Sequence, residues 1–167
     1  MKIIIIAALG NNNAIGKDSD LPWGRRQRGD MLRFFRLTKG FPIITGRKTY
    51  ESFPQRPLRF RTNIVITRQS DYGGPDGLVK AGSFEEAIEI AKREGKEKAF
   101  IIGGAKIYKL ALSQADKLYI TFIHHEFEAD TFFPVIDPSA WQEIGRSVYP
   151  ADADNAYPYS FVIYDKI

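Results

Sequence analysis

Short apolar runs rich in β-branched residues recur along this chain, at intervals that leave room for a helix between them. The first four are nearly continuous in apolar residues, which is typical of strands buried on both faces of a sheet. Strands separated by helices need crossover connections, so the pattern favours an α/β fold with a mostly parallel sheet. The predicted strands are Ile3–Leu9, Phe41–Thr45, Asn63–Thr67, Ala99–Ile102, Lys117–Ile123 and Tyr159–Tyr164.

Three segments between these runs have helical patterns. Asp30–Leu37 carries apolar residues at helical spacing, and Ala105–Leu112 is a second candidate. Phe84–Arg93 follows Ser83, a predicted N-cap, and Glu86 stands where it would complete a capping box. The last third of the chain has no helical pattern between its strands, so we expect an antiparallel hairpin at the C-terminus.

Composition limits the class of protein. A chain of 167 residues fits one domain, 1–167. The absence of cysteine excludes disulfides and cysteine metal sites, and it suits a reducing compartment. We expect a cytoplasmic protein with no membrane segment and no metal. The adjacent His124 and His125 would point to opposite faces of a strand and cannot share a metal ion. A net charge of +4 favours anionic partners but does not choose among phosphate cofactors, acidic substrates and nucleic acid.

Asp30 is the first residue that could carry chemistry. It opens an apolar helix and shares a face with Phe34, four residues later. A carboxylate beside a ring could hold a flat heterocycle through two adjacent N–H donors, and burial would raise its pKa. Asp is also a favoured N-cap and is favourable in a first helical turn, and the residue taken alone favours the cap.

Two junctions combine a strand, glycine and a helix start. The first is Thr45-Gly46-Arg47-Lys48-Thr49, where free helix N–H groups and two cations could hold an anion. The second contains Gly103-Gly104, where glycines permit close approach of a ligand to the backbone. It lacks the G-x-G-x-x-G fingerprint of a standard dinucleotide site. Ordinary turns explain either junction taken singly.

Arginines supply further candidates. Arg68 follows a predicted strand, where it could meet a 2′-phosphate and so favour NADP over NAD. Arg56, Arg59 and Arg61 lie in a Pro-flanked loop, where one of them could bind a carboxylate with two hydrogen bonds. Solvated surface cations are the alternative in both places.

The order of these pieces along the chain resembles that of dihydrofolate reductases, and the resemblance covers nearly the whole sequence. The matching motifs are Ala7-Ala8, Ile15-Gly16, Leu21-Pro22-Trp23, Asp30 with Phe34, Gly46-Arg47-Lys48-Thr49-Tyr50-Glu51-Ser52, Arg56-Pro57-Leu58, Arg61-Thr62-Asn63, Ile102-Gly103-Gly104-Ala105, Ile107-Tyr108, Leu118-Tyr119-Ile120-Thr121 and Asp130-Thr131-Phe132-Phe133-Pro134.

The resemblance implies a central eight-stranded, mainly parallel sheet with four flanking helices and a C-terminal antiparallel strand. It also implies NADPH-dependent reduction of 7,8-dihydrofolate to 5,6,7,8-tetrahydrofolate, with hydride passing to pterin C6 and a proton to N5. Asp30 would hold the pterin, with Thr121 hydrogen-bonded to it, and Arg61 would bind the glutamate α-carboxylate. Ile6, Phe34 and Leu58 would pack on the substrate rings.

The cofactor side is likewise implied by the resemblance. Gly10–Trp23 would be a mobile loop closing over the nicotinamide, with Leu21 near the ring and Trp23 positioning a water near Asp30. The Gly103–Gly104 bond would be cis. The implied NADPH-binding residues are Ala8, Ile15, Gly16, Arg47, Lys48, Thr49, Thr67, Arg68, Ile102, Gly103, Gly104, Ala105, Lys106, Ile107 and Tyr108.

Two alternatives compete with this interpretation. One is a reductase of the same fold that acts on a pyrimidine intermediate of riboflavin synthesis. The joint occurrence of Asp30, Phe34 and Arg61 argues against it, because a folate needs both a group that binds the pterin and a group that binds the tail. The other is a non-catalytic nucleotide or nucleic-acid binder, which predicts salt-dependent binding to polynucleotides. The segment Gly24–Gly29 is longer and more basic than the family pattern, so the resemblance does not predict its path. With dihydrofolate as its substrate, we expect a monomer without nucleic-acid partners.

Overall fold

An eight-stranded sheet forms the centre of the computed structural model, which describes residues 1–75 and 77–167. The strand order is β5-β4-β3-β6-β1-β7-β10-β9, and β2 pairs with β8 in a separate two-stranded ladder. The strands are β1 Lys2–Gly10, β2 Ala14–Gly16, β3 Ile43–Gly46, β4 Asn63–Ile66, β5 Leu78–Ala81, β6 Lys98–Gly103, β7 Lys117–Ile123, β8 Thr131–Phe132, β9 Trp141–Tyr149 and β10 Tyr159–Lys166.

All pairs in the main sheet are parallel except those of β10, which runs antiparallel to β7 and β9. The predicted parallel sheet and C-terminal hairpin are therefore confirmed. The helices are α1 Arg28–Thr38, α2 Arg47–Glu51, α3 Phe84–Arg93 and α4 Ala105–Ala111. In the described ranges, none of them is long and apolar enough to cross a membrane.

Strand β1 shows why the first apolar run is almost continuous. Alternate residues of a strand point to opposite faces. Ile3 and Ile5 join a large cluster with the buried residues of α3 and α4. Ile4 and Ile6 join a second cluster, which includes Phe34 of α1. Both faces are covered, so both need apolar side chains.

Several element boundaries differ from the prediction. Helix α3 has the predicted bounds, but β3 begins at Ile43 rather than Phe41. Pro42 precedes the strand and has no backbone N–H to donate to a neighbouring strand. Its carbonyl still accepts a hydrogen bond from the Phe100 amide at 3.0 Å. The Ser83 hydroxyl caps α3 as predicted, while the Glu86 carboxylate accepts from the amide of Gly82 rather than Ser83.

The N-cap interpretation of Asp30 is wrong. Helix α1 starts at Arg28 after Gln27, so Asp30 lies within the first turn. Two backbone amides at this end have no acceptor within the helix and donate instead to a loop that is distant in sequence. The Arg28 amide donates to the Asp154 carbonyl at 3.2 Å, and the Gly29 amide donates to Asn155 Oδ1 at 2.8 Å. Because these contacts are tertiary, local sequence could not place the helix start.

The same loop sets the path of the basic segment Gly24–Gly29. The buried Gln27 side chain makes two bonds to the backbone of Tyr157, accepting from its amide at 2.8 Å and donating to its carbonyl at 3.2 Å. The Ala156 amide donates to the Arg26 carbonyl at 2.8 Å. The segment thus pairs with residues 154–157 and delivers Asp30 to the sheet.

Gly29 must remain without a side chain. A Cβ there would lie 2.4 Å from the Tyr159 hydroxyl oxygen and 3.2 Å from Asn155 Oδ1. The Tyr159 ring is buried and stacked on Tyr149, so it cannot withdraw easily. We expect Gly29→Ala to lower the free energy of unfolding by about 1–3 kcal/mol in urea denaturation.

Gly145→Ala is the control for this variant, since nothing lies within 4 Å of a Cβ at Gly145. Adding Tyr159→Phe to Gly29→Ala removes the colliding oxygen and should restore part of the loss. Equal stability of the Gly29→Ala and Gly145→Ala proteins would contradict the steric argument.

Candidate active site

The carboxyl ends of the parallel strands β1, β3 and β6 meet at one edge of the sheet. The chain order reverses here, because β6 returns between β3 and β1 after β5. Ligands of open α/β sheets bind in the crevice at such an edge. The predicted site residues lie on helices α1, α2 and α4, on strands of the sheets and on the loops that join these elements.

Asp30 is partly buried on α1, beside strand β7. Burial raises the pKa of its carboxyl, while a hydrogen bond with Thr121 and the charge of Arg33 lower it. Thr121 is itself buried and stands opposite Ala8 in the ladder between β1 and β7. The structure therefore brings together Asp30 and Thr121, as the resemblance implies.

An apolar floor extends from Asp30 along α1. Ile6 and Ile102 are buried in one cluster with Phe34 and Leu58, which are partly exposed. Two sheet residues, one helix residue and one loop residue thus form a common surface. A flat ring fits such a surface because it offers apolar contact on its faces and hydrogen bonds at its edge.

Arg61 stands at the far end of this floor. Its Nη1 donates to the Thr38 hydroxyl at 2.8 Å, and its guanidinium lies 5.7 Å from the Phe34 ring centroid. Burial lowers its pKa. Thr38 is buried and donates in turn to the Phe34 carbonyl at 2.8 Å. A planar guanidinium held in this way presents donors in the fork geometry that matches a carboxylate.

The buried Asn63 fixes the loop that carries Leu58 and Arg61. Its carboxamide accepts from the Leu58 amide at 2.8 Å and donates to the carbonyls of Leu58 and Arg61, both at 2.9 Å. Asn63 stands in one of the matching motifs, but its residue type and position alone predicted no role for it. A polar residue opening an otherwise apolar strand was the available signal.

The two glycine junctions lie against each other. Gly46 and Gly104 occupy the N-cap positions of α2 and α4, and neither helix has a side-chain cap. A Cβ at Gly104 would lie 2.7 Å from Thr49 Oγ1, and a Cβ at Gly46 would lie 3.3 Å from Ile107. The Gly103–Gly104 bond is cis, as the resemblance implies.

Side chains around these junctions differ in exposure. Lys48 and Lys106 are exposed, while Ile107 and Tyr108 are buried. The Tyr108 hydroxyl donates to the Ile6 carbonyl at 3.0 Å, which ties α4 to β1. Arg47 pairs with Glu51 at 3.1 Å within α2. Ala105 begins α4 and is partly exposed.

Thr67 and Arg68 follow β4. The Thr67 hydroxyl is buried and accepts from the Gln69 amide at 3.1 Å, whereas Arg68 is exposed. The hydroxyl thus shapes the turn, and the exposed guanidinium extends into solvent, where a ligand could meet it.

The loop Gly10–Trp23 is docked on the segment after β7. Lys17 pairs with Glu128 at 2.7 Å, the Asp18 amide donates to Asp130 at 2.9 Å, and the Asp130 amide donates to the Gly16 carbonyl at 3.0 Å. Ile15 packs partly against the main core. Further along the loop, Leu21 is 36% exposed. Trp23 is buried beside Ala8 and Phe127.

Comparison with known proteins identifies this arrangement. The family model described as dihydrofolate reductase matches residues 2–166. The chain belongs to the dihydrofolate reductase family. The resemblance stated from motifs is confirmed.

Individual dihydrofolate reductases match over most of their length. The enzyme of Bacillus subtilis (strain 168) is 42% identical over 164 residues, which are 98% of this chain and 94% of the relative. That of Staphylococcus haemolyticus is 41% identical over 167 residues, or 100% and 97% of the two chains. The structure of dihydrofolate reductase from Enterococcus faecalis, complexed with NADP(H) and RAB-propyl, matches with a TM-score of 0.88 and 34% identity, covering 99% of this chain and 96% of that one.

The glycine junctions fit the dinucleotide that a dihydrofolate reductase uses. The space at Gly104 is one that a Cβ would fill, and both helix starts leave their first amides without a side-chain partner. Such amides are suited to phosphate oxygens. The two junctions were weak signals singly, and tertiary structure makes them one surface.

Proposed function

We propose that this protein reduces 7,8-dihydrofolate to 5,6,7,8-tetrahydrofolate with NADPH and so supplies one-carbon metabolism. Family membership supports the reaction, and one feature of the site supports the substrate. That feature is a partly buried carboxylate, Asp30, at one end of an apolar floor that has a held guanidinium, Arg61, at the other. Dihydrofolate has the matching parts, a pterin edge rich in N–H donors and a glutamate tail.

In this proposal, Asp30 accepts from the pterin 2-amino group and the adjacent ring nitrogen, and Thr121 orients the carboxylate. Ile6, Phe34 and Leu58 cover the pterin and benzoyl rings, and Arg61 binds the α-carboxylate of the tail. Two observations support this assignment: Ile6, Phe34 and Leu58 share one cluster, and the Arg61 guanidinium lies 5.7 Å from the Phe34 ring centroid.

NADPH would lie along the glycine junctions. Arg47, Lys48 and Thr49 at the start of α2 would hold phosphates, and Thr67 with Arg68 would meet the adenosine 2′-phosphate. Residues of β6 and α4 would line the pyrophosphate and nicotinamide. These are Ile102, Gly103, Gly104, Ala105, Lys106, Ile107 and Tyr108. Ala8, Ile15 and Gly16 would contact the nicotinamide half.

NADPH supplies the hydride that reaches pterin C6, and the chain supplies alignment and a proton route to N5. Asp30 favours positive charge developing on the bound pterin, so it promotes protonation of N5 through water. Trp23 would help to position that water. Leu21 and the loop Gly10–Trp23 would exclude bulk solvent when the nicotinamide is bound, which protects the hydride step.

The direct test is consumption of NADPH, followed by loss of its near-ultraviolet absorbance, with and without dihydrofolate. We expect oxidation that depends on dihydrofolate and is much slower with NADH. Oxidation with the pyrimidine intermediate of riboflavin synthesis, but not with dihydrofolate, would reject the proposed substrate. Salt-dependent polynucleotide binding without oxidation would favour the non-catalytic alternative.

Arg68 provides a test of cofactor choice. We expect Arg68→Gln to raise the KM for NADPH about tenfold or more while leaving the KM for NADH unchanged, because a charged hydrogen bond to the 2′-phosphate is lost. Steady-state kinetics with both cofactors measure this effect. Arg93→Gln is the matched control, since Arg93 is an exposed arginine at the end of α3. Equal changes for NADPH and NADH would exclude a 2′-phosphate contact.

We further propose that the enzyme works as a monomer in the cytoplasm, without nucleic acid. The candidate site is assembled from one chain, and this supports a monomer. Light scattering in solution tests the oligomeric state, and cell fractionation tests the location.

A further inference from the structure

Arg33 is a cation in an unusual place, among aromatic rings on the sheet side of α1. It is partly exposed, and its guanidinium carbon lies 4.3 Å from the Phe161 ring centroid and 5.8 Å from that of Tyr119. Its Nη1 lies 3.4 Å from the Ile120 carbonyl and from Thr121 Oγ1, so both hydrogen bonds are long. Burial lowers its pKa.

Packing alone does not require a charge at this position. An apolar side chain would fill the space between two rings without the cost of desolvating a guanidinium. Attraction between the cation and the faces of aromatic rings offsets part of this desolvation cost, and a nearby carboxylate can offset more of it. Arg33 lies three residues after Asp30, so the two share one helix face. The Asp30 charge raises the pKa of Arg33, and the Arg33 charge lowers that of Asp30.

We propose that Arg33 is a positioning residue: its guanidinium holds the Thr121 hydroxyl that faces Asp30, and its charge, three residues along the same helix face, favours the ionised Asp30 carboxylate. This inference rests on the proposed role of Asp30 and adds to it. An ionised carboxylate offers acceptors on both oxygens, which is what two adjacent N–H donors of a pterin require. Arg33 thus acts on Thr121 through a hydrogen bond and on Asp30 through its charge, and these are the two groups that would hold the ring.

Among residues 1–75 and 77–167, four tyrosines interact electrostatically with this pair. Tyr119 of β7 and Tyr149 of β9 act on Arg33, while Tyr108 of α4 and Tyr159 of β10 lie near Asp30. Burial raises the pKa of Tyr108 and of Tyr159, and the Asp30 charge adds to this. Tyrosine hydroxyls are neutral near neutral pH, so Arg33 supplies the positive charge that opposes the burial of Asp30.

The test is a carbon-13 NMR titration of the Asp30 carboxyl in the ligand-free protein, with the resonance assigned by its loss in Asp30→Asn. In Arg33→Gln we expect the titration midpoint to move to higher pH, since the cation that favours the ionised form is gone. The acid limb of the kcat/KM profile for dihydrofolate should move in the same direction. Arg33→Lys retains the charge and should return both toward the wild-type positions.

Arg36→Gln is the matched control, because Arg36 is an exposed arginine in the last turn of the same helix. A wild-type midpoint in Arg33→Gln, or an equal shift in Arg36→Gln, would overturn the proposal. Arg33→Met is a second uncharged variant should the glutamine protein fail to fold. The NMR midpoint does not depend on catalysis. Normal activity of Asp30→Asn would therefore reject the proposed catalytic role of Asp30, while the effect of Arg33 on the Asp30 carboxyl would still be decided by the titration.

Discussion

Replacing Asp30 by asparagine is expected to lower kcat for dihydrofolate reduction by about a hundredfold or more near neutral pH, with NADPH affinity unchanged. The side chain keeps its size but loses the charge that favours protonation of the pterin at N5. The deficit should shrink as the pH falls, because solvent then supplies the proton directly. Steady-state kinetics over a range of pH, with NADPH binding followed by fluorescence, measure both parts.

The free energy of unfolding of Asp30→Asn distinguishes a loss of catalysis from a loss of folding. Burial raises the pKa of Asp30 in the folded protein, so the ionised carboxylate opposes folding at pH values above the unfolded-state pKa. A neutral asparagine removes that cost, and we expect Asp30→Asn to be at least as stable as the wild type near neutral pH in urea denaturation. Asp30→Glu keeps a carboxylate and serves as the control. Normal turnover in Asp30→Asn would contradict the assignment of this residue as the pterin ligand.

The second large effect is expected from Arg61→Leu, which should weaken dihydrofolate binding by about 3 kcal/mol, or about a hundredfold. The loss should be small for a dihydropteridine that lacks the glutamate tail, because the carboxylate is the partner that is left unpaired. Dissociation constants for both ligands, measured by calorimetry, give the comparison.

Arg59→Leu is the control, since Arg59 is exposed in the same loop and the charge loss is identical. Arg61 also donates to Thr38, so the unfolding free energy of each variant has to be measured alongside binding. Equal weakening of the two ligands would reject the carboxylate-binding role of Arg61 and point instead to a displaced loop.

Much of the fold could be predicted because it depends on patterns that are local in sequence. Two-sided burial makes strands such as β1 and β6 continuous in apolar residues, and Ser83 caps α3 through an amide three residues away. Strand β9 was missed because most of its residues are exposed, so it has no apolar pattern. Strands β2 and β8, with 3 and 2 residues, are too short to produce one. Strand β5 was missed as well, and only Ala81 of its 4 residues is buried.

The candidate site likewise combines features that the sequence predicts with features that depend on tertiary contacts. The sequence by itself determined which side chains are present and, through the order of their motifs, the family to which the chain belongs. Tertiary structure alone decided that α1 starts at Arg28 and that the two glycine junctions touch. It also decided that the Arg33 guanidinium lies between strands and a helix. These features rest on contacts between residues far apart in the chain, and local propensity carries no information about such contacts.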